Sequence, residues 1–351
     1  LIEKSIHSVL KKYYKVTPDY GILTGVRVIK ILVAAKRYGR TDDEADTILR
    51  DTYEVTDDKI KLLHDILSIE EKYMGEKNKK NYNLYLGIPF CPSKCSYCSF
   101  TSFTNCKEDK INEYIKTLIY ETEETIKMAL KKGLDLHTVY VGGGTPSVLN
   151  ESQINEIFNS IRKYYNFSEI EEVTFEAGRP DTLTERKLAC LKGNGVTRIC
   201  INPQTMNERT LQGIGRSHTA EDILNKYMLA KKIGFDCINM DIILGLPGEG
   251  EFDVKNTITK IIDKRPENIT VHALAYKKKS ELTRESSLLS KDYDLIRKMH
   301  EIVRQVCKNA GYSPYYMYRQ KNMKGNSENV GFTLPGRESI YNIIMIEELE
   351  T

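Results

Sequence analysis

Apolar and polar positions follow two regimes along this chain. Up to about residue 70 the apolar residues recur at helical spacing: Ile2, Ile6, Val9 and Leu10, then Val26, Ile29, Ile31, Leu32 and Val33, then Ile60, Leu62, Leu63, Ile66 and Leu67. That pattern predicts a small helical region. Glu71 to Asn81 is rich in Lys, Glu and Asn with little to bury, and reads as an exposed linker. From residue 82 short apolar runs alternate with amphipathic stretches, as repeated βα units with a parallel sheet require. The runs predict strands at 82–89, 138–142, 172–177, 197–202, 236–244 and 268–275. Helices are predicted at 108–132, 151–165, 184–193, 219–233, 251–264 and 291–310.

The fold class is therefore α/β. Six βα units fall short of the eight that close a barrel, so the sheet is expected to be an open, partial (β/α)6 TIM-like barrel behind a helical N-terminal region. The expected organisation is 1–80 as helical region and linker, 81–311 as the partial barrel, and 312–351 as the start of a C-terminal region covering the substrate. The chain opens at Leu1 and stops just after the apolar Ile343, Met345 and Ile346, so it reads as a fragment cut at both ends.

Unusual residues gather where the predicted strands end. A cysteine loop follows the first strand, Gly142, Gly143, Gly144, Thr145 and Pro146 end the second, and Glu176 ends the third. Asn202, Pro203 and Gln204 end the fourth, Asp241 to Pro247 the fifth, and His272 to Tyr276 the sixth. In a βα barrel these ends share one face, so they predict one site.

Charge and composition narrow the class. Lys and Arg total 52 against 49 Asp and Glu, a net charge of +3, so no dominant field marks a nucleic-acid partner. No apolar run approaches the roughly 20 residues that cross a bilayer, and no signal-peptide core is present. A cytoplasmic protein is expected. Of eight cysteines, three lie within one short loop and the rest are scattered, unlike a secreted disulfide framework.

Cys91, Cys95 and Cys98 offer three soft thiolates in one loop, the ligands that iron–sulfur clusters select. Three ligands for four irons leave one iron open to a small molecule, and the amino and carboxylate groups of a methionine moiety suit it. The alternatives are a zinc site, which wants a fourth ligand, and buried structural thiols. Cys106 is near, but its spacing fits no finger or ribbon. Cys190, Cys200, Cys237 and Cys307 fall on predicted helices or strands and read as small buried hydrophobes.

The run from Gly87 to Phe100, Gly-Ile-Pro-Phe-Cys-Pro-Ser-Lys-Cys-Ser-Tyr-Cys-Ser-Phe, resembles the radical S-adenosylmethionine (SAM) superfamily, and within it the oxygen-independent coproporphyrinogen oxidase group. The later segment Tyr315 to Met323, with Gly325, Asn326 and Glu328 to Gly331 after it, resembles the HemZ-type coproporphyrinogen dehydrogenases. The resemblance covers the chain from about Gly21 onward. It implies a [4Fe-4S] cluster on Cys91, Cys95 and Cys98, one or possibly two SAM molecules, an electron donor, and a porphyrinogen or heme-like tetrapyrrole as substrate.

Residue by residue, the resemblance puts Gly142, Gly143 and Gly144, followed by Thr145, against the methionine amino group. It puts Glu176 and Arg216 at the methionine part, Gln204 and Asp241 at the ribose hydroxyls, Tyr97 near the adenine, and backbone groups of Ala273 to Ala275 against the adenine. The implied reaction converts two propionates of coproporphyrinogen III to vinyl groups, giving protoporphyrinogen IX. Lys277, Lys278, Lys279, Arg319 and Lys321 are candidates for propionate contacts, and Tyr315, Tyr316 and Tyr318 for stacking on the tetrapyrrole. The chain departs from the pattern at Phe100, where the best-understood dehydrogenases carry a fourth cysteine. Heme chaperones of the group also have an aromatic there, which makes heme binding without decarboxylation the alternative. Those chaperones use a C-terminal motif with His, Tyr and Trp, and this chain has no Trp. Another anaerobic radical enzyme that modifies heme or a related tetrapyrrole is a further alternative, and an RNA-modifying radical enzyme is one more, disfavoured by the near-neutral charge.

Overall fold

The computed structural model of the chain describes residues 2–25, 27–75, 80–100, 102–276, 280, 282 and 289–351. Four helices open the chain: α1 (Ile2–Tyr14), α2 (Lys30–Arg37), α3 (Asp42–Thr47) and α4 (Asp57–Glu70). A π-helical turn at Ile48–Thr52 runs straight on from α3. The alternating part follows as β1 (Asn81–Ile88), the short β2 (Phe90–Cys91) and β3 (Phe103–Thr104), α5 (Glu108–Lys131), β4 (Asp135–Gly143), α6 (Glu151–Arg162), β5 (Glu172–Gly178), α7 (Glu185–Gly193), β6 (Arg198–Ile201), α8 (Glu208–Gly213), α9 (Ala220–Ile233), β7 (Cys237–Leu244), α10 (Glu251–Ile262), β8 (Asn268–Ala273) and α11 (Leu289–Asn309). The chain finishes with β9 (Ser313–Tyr318), β10 (Asn329–Thr333) and α12 (Ile340–Glu347).

The six predicted strands lie side by side and parallel in the order β1-β4-β5-β6-β7-β8. Two more extend the sheet, β10 antiparallel to β8 and β9 antiparallel to β10, which makes eight strands. The result is a curled half-barrel with helices outside. Local chemistry starts the helices where they begin. Asn150 and Gln153 form a reciprocal cap on α6, Thr219 and Asp222 do the same on α9, and Gly234 ends α9 in a left-handed conformation.

Side chains of a strand alternate between its two faces, and in this sheet the faces differ in kind. Val173, Phe175, Ile199, Ile201, Ile238, Met240, Ile242, Ile269 and Val271 are buried and belong to one core cluster. The alternate positions, Glu172, Thr174, Glu176, Arg198, Cys200, Asn239, Asp241, Thr270 and His272, are polar or thiol-bearing. They bond among themselves: Thr174 Oγ1 donates to Glu172 at 2.9 Å, Asn239 Nδ2 to Asp241 at 2.6 Å, and Thr270 Oγ1 to Asn239 at 2.9 Å.

The lower end is stoppered by the C-terminal segment. Arg198 lies 3.3 Å from Glu172 and donates to the Arg337 and Glu338 carbonyls. Glu172 in turn accepts from the Ser339 hydroxyl and the Ile340 N–H, at 2.9 and 2.8 Å, where α12 begins. Tyr341 stacks on Tyr140 at 4.5 Å, and Tyr140 on Tyr85 at 5.9 Å. With the lower end covered by this segment, the polar interior opens toward the C-terminal ends of the parallel strands. No helix among the described residues is long and apolar enough to cross a membrane.

Candidate active site at the strand ends

The cysteine loop closes over those strand ends. Cys91 sits on β2, held beside β4 by a hydrogen bond from the Thr145 N–H to the Phe90 carbonyl at 2.8 Å. The Thr145 hydroxyl approaches the Cys91 Sγ at 3.4 Å. Gly144 needs to be glycine here, because a Cβ would stand 3.0 Å from that sulfur and 2.7 Å from the Phe90 carbonyl oxygen. Cys95 is buried, and its carbonyl accepts from the Cys98 N–H at 3.0 Å, which turns the loop back on itself. The Ser96 N–H donates to the Ile214 carbonyl, tying the loop to the segment after α8.

One cavity of about 290 Å³ lies beneath this loop, near the lower end of the roughly 300–1,000 Å³ typical of small-molecule sites. Cys91, Cys95, Cys98 and Tyr97 line it from above, Gly143, Gly144, Thr145, Glu176, Gln204, Asp241, Ala273 and Ala275 from the strand ends, and Arg216 from the segment after α8. Of the residues assigned from the sequence to the cluster and to SAM, only Gly142 is not in the lining. It stands one layer down, where a Cβ would be 3.1 Å from the Glu176 carboxylate.

Glu176 accepts from the Tyr140 hydroxyl at 2.7 Å and from the Gly143 N–H at 3.1 Å. Burial pushes its carboxyl up to about 7, and the charge of Asp241 adds to this while the two donors pull it back. Gln204 has a left-handed backbone with φ of +66°, unusual for a side-chain-bearing residue. It is pinned there by its N–H on the Asp241 carbonyl at 2.8 Å and by the Ile243 N–H on its own carbonyl at 2.9 Å. Asp241 Oδ2 lies 3.7 Å from His272 Nε2.

Arg216 is buried and donates to the Asn202 carbonyl at 2.7 Å and to the Tyr97 hydroxyl at 3.0 Å. Its Nε, and Asn202 Oδ1 beside it, are buried without a hydrogen-bond partner. Buried polar atoms left unpaired are costly, and two of them on residues of one cavity fit a polar ligand. Tyr97 is half-buried against Arg216, and loss of solvent around its hydroxyl raises it well above the usual range.

The candidates for substrate contact divide differently. Arg319 faces away from the cavity: its guanidinium donates to the Leu23 carbonyl at 2.7 Å, to Asn326, and lies 4.2 Å over the Tyr20 ring. The sequence made it a candidate for a propionate contact, but the segment between α1 and α2 supplies the buried Tyr20 ring and the Leu23 carbonyl, which engage its charge instead. Lys321 is exposed and outside the lining, and Lys277, Lys278 and Lys279 lie outside the described residues. Tyr318 lines the cavity, Tyr316 stacks on it at 6.5 Å, and Tyr315 packs with Ile343 and Ile344 of α12. Sequence reasoning missed Ser93, Arg179, Gln320 and Asn329, which also line the cavity. Arg179 carried a signal, since it lies two residues past the end of the predicted strand 172–177.

A model of the Radical SAM superfamily matches residues 85–261, from β1 to the end of α10. The oxygen-independent coproporphyrinogen-III oxidase-like protein HemZ of Bacillus subtilis is 37% identical over 98% of this chain, which spans 70% of that protein. The chain belongs to the radical SAM superfamily. Within it, the chain groups with the HemZ-like branch of the oxygen-independent coproporphyrinogen oxidases. The heme chaperone HemW of Lactococcus lactis is 31% identical over 76% of this chain, which spans 65% of it. Among solved structures, coproporphyrinogen III oxidase HemN of Escherichia coli superposes with a TM-score of 0.59 at 21% identity, covering 76% of this chain and 58% of HemN, and shares the fold.

Membership of the superfamily implies a [4Fe-4S] cluster and SAM. The donor set fits both. Three thiols line one cavity from one loop, and among the described residues no three His, Cys, Asp or Glu side chains converge on a single ion. Thiolates that each bind a different iron of a cluster are not required to converge on one point. The unpaired Asn202 Oδ1 and Arg216 Nε, with Glu176 and Asp241 opposite, suit a ligand carrying amino, carboxylate and hydroxyl groups.

Proposed function

We propose that this radical SAM protein carries out the oxygen-independent oxidative decarboxylation of coproporphyrinogen III to protoporphyrinogen IX. The observation that carries the reading is the sharing of one cavity by the three thiols and the polar strand ends, in a chain 37% identical to a protein named for this chemistry. Cys91, Cys95 and Cys98 hold the cluster, and the cavity holds SAM. Together, when bound, they supply a 5′-deoxyadenosyl radical, the hydrogen-abstracting agent this reaction needs.

This chain's own residues bind and orient. The Gly143 and Gly144 backbone lies close to the methionine amino group, with Glu176 as its acidic partner. A carboxyl poised near 7 is held ionised by an ammonium beside it. Arg216 pairs with the methionine carboxylate. Asp241 and Gln204 bond the ribose hydroxyls, and the backbone of Ala273 to Ala275 flanks the adenine. Each propionate that becomes a vinyl group loses one hydrogen atom from its β-carbon to the radical, then carbon dioxide, while one electron passes to an external one-electron acceptor. Tyr318 and the exposed Phe100 stand where a flat macrocycle would approach.

A second reading, a heme-binding chaperone, is favoured by Phe100 in place of a fourth cysteine and by the similarity to HemW. Incubating the anaerobically reconstituted protein with reductant, SAM and coproporphyrinogen III, then analysing products by mass spectrometry, separates the two. Vinyl products formed together with 5′-deoxyadenosine support the decarboxylase. Tight heme binding without vinyl products supports the chaperone.

A further inference from the structure

β5 ends at Gly178, whose φ of +49° lies in the left-handed region and turns the chain sharply before Arg179. Arg179 is 3% exposed, yet it does not enter the hydrophobic core. Its guanidinium reaches the cysteine loop, where Nη1 donates to the Ser93 hydroxyl at 2.8 Å and the Ser93 carbonyl at 3.4 Å, and lies 4.0 Å from the Cys95 Sγ. The other edge of the same group meets both oxygens of Asp181, Nε at 3.1 Å and Nη2 at 2.9 Å. Asp181 is itself fixed at the head of a tight turn, since the Thr182 hydroxyl donates back to the Arg179 carbonyl at 2.8 Å. Arg216 also meets the cysteine loop, at the Tyr97 hydroxyl, whereas Arg179 is held against the loop by a bidentate carboxylate.

We infer that Arg179 is a positioning residue that sets the reduction potential of the cluster through Cys95, with Asp181 setting how much of its charge the cluster feels. The inference rests on the reading that Cys91, Cys95 and Cys98 hold a [4Fe-4S] cluster. Reduction adds one electron, delivered by an external reductant, to a unit already carrying thiolate charge. A cation beside one sulfur stabilises the reduced form more than the oxidised one, and charge and hydrogen bonds at the sulfurs are known levers on cluster potential. A guanidinium cannot shed its proton in a protein, so this charge is permanent. Burial leaves it weakly screened. Asp181 is more exposed, with 29% of its side chain accessible, and offsets the guanidinium only in part.

The test is a redox titration of the full chain, reconstituted anaerobically and followed by electron paramagnetic resonance, with iron and sulfide counted in the same samples. Arg179→Gln is expected to shift the midpoint to lower potential, Arg179→Lys to shift it less, and Asp181→Asn to shift it upward. Opposite signs for the two positions are not produced by general loosening of the loop. Should Arg179→Gln lose iron, Asp181→Asn carries the test: an upward shift supports the inference and an unmoved midpoint overturns it. Iron-replete variants at the parental midpoint, or shifts of the same sign at both positions, overturn the role of Arg179 alone. A parent chain that assembles no cluster overturns the cysteine reading beneath it.

Discussion

Arg216 illustrates how a single side chain is held in place for the carboxylate contact proposed for it. Two of its donors are used internally, on the Asn202 carbonyl and the Tyr97 hydroxyl, and the buried Nε has none. Arg216→Ala is expected to weaken SAM binding by at least about tenfold, the size of one charge-assisted hydrogen bond. Arg216→Lys is expected to recover part of the loss. Equilibrium binding of SAM under anaerobic conditions reads this, and unchanged affinity in the alanine variant would remove Arg216 from the carboxylate role. At this scale the sequence was informative wherever a residue type is unusual for a strand end: thiols, a glycine run, an isolated acid. It was uninformative for Arg319, because an arginine near an aromatic cluster looks the same whether it serves a ligand or a buried carbonyl. Only the packing of Tyr20 and Leu23 against it decides.

Between elements, the contact of α4 with α12 carries a second legible cause. Glu70 ends α4 fully buried, with neither carboxylate oxygen partnered, and Glu347 ends α12 buried as well. Burial, and then the Glu347 charge, push the Glu70 carboxyl up to about 9. The folded chain therefore keeps a proton that the unfolded chain releases near the ordinary carboxylate range. Stability should fall as pH rises from about 4.5 to about 9 and level off beyond. Glu70→Gln, which is neutral throughout, is expected to flatten that slope and to raise the melting temperature at pH 8 by about 2 °C or more. A parental slope in the variant would mean that another group titrates there. Periodicity could not show this pair, since its members are remote in sequence. For a related reason β9 and β10 escaped notice: both are short, β9 is tyrosine-rich, and their place in the sheet depends on pairing of β10 with β8 and of β9 with β10. The six parallel strands were legible because each is an apolar run between turn residues.

At the level of the whole molecule, the N-terminal helices and the C-terminal strands are joined through a buried ion pair. Lys59 on α4 meets Glu328, the residue before β10, at 2.5 Å, with Asp19 at 3.6 Å and His300 behind. Burial alone would raise the Glu328 carboxyl, but Lys59, with His300 and Arg304, holds it at about 2. The next residue, Asn329, lines the cavity and accepts from the Ala273 N–H at 3.0 Å, so the pair anchors the far wall of the site. Lys59→Met removes the nearest cation from the buried Glu328 carboxyl, and is expected to cost about 3 kcal/mol or more of unfolding free energy. The double variant Lys59→Met with Glu328→Gln should recover much of it. Equal loss in the single and double variants would show that the charges are not coupled. The same half-barrel that the N-terminal helices brace presents three thiols and the polar strand ends to one cavity.

The most direct measurement of that arrangement is the electron paramagnetic resonance spectrum of the anaerobically reconstituted, reduced protein before and after adding SAM, with iron counted in the parent and in Cys95→Ala. A signal typical of a reduced [4Fe-4S] cluster that changes shape on SAM addition, and is lost together with its iron in Cys95→Ala, is the predicted result. A parental iron content in Cys95→Ala, or a cluster signal indifferent to SAM, would contradict the account.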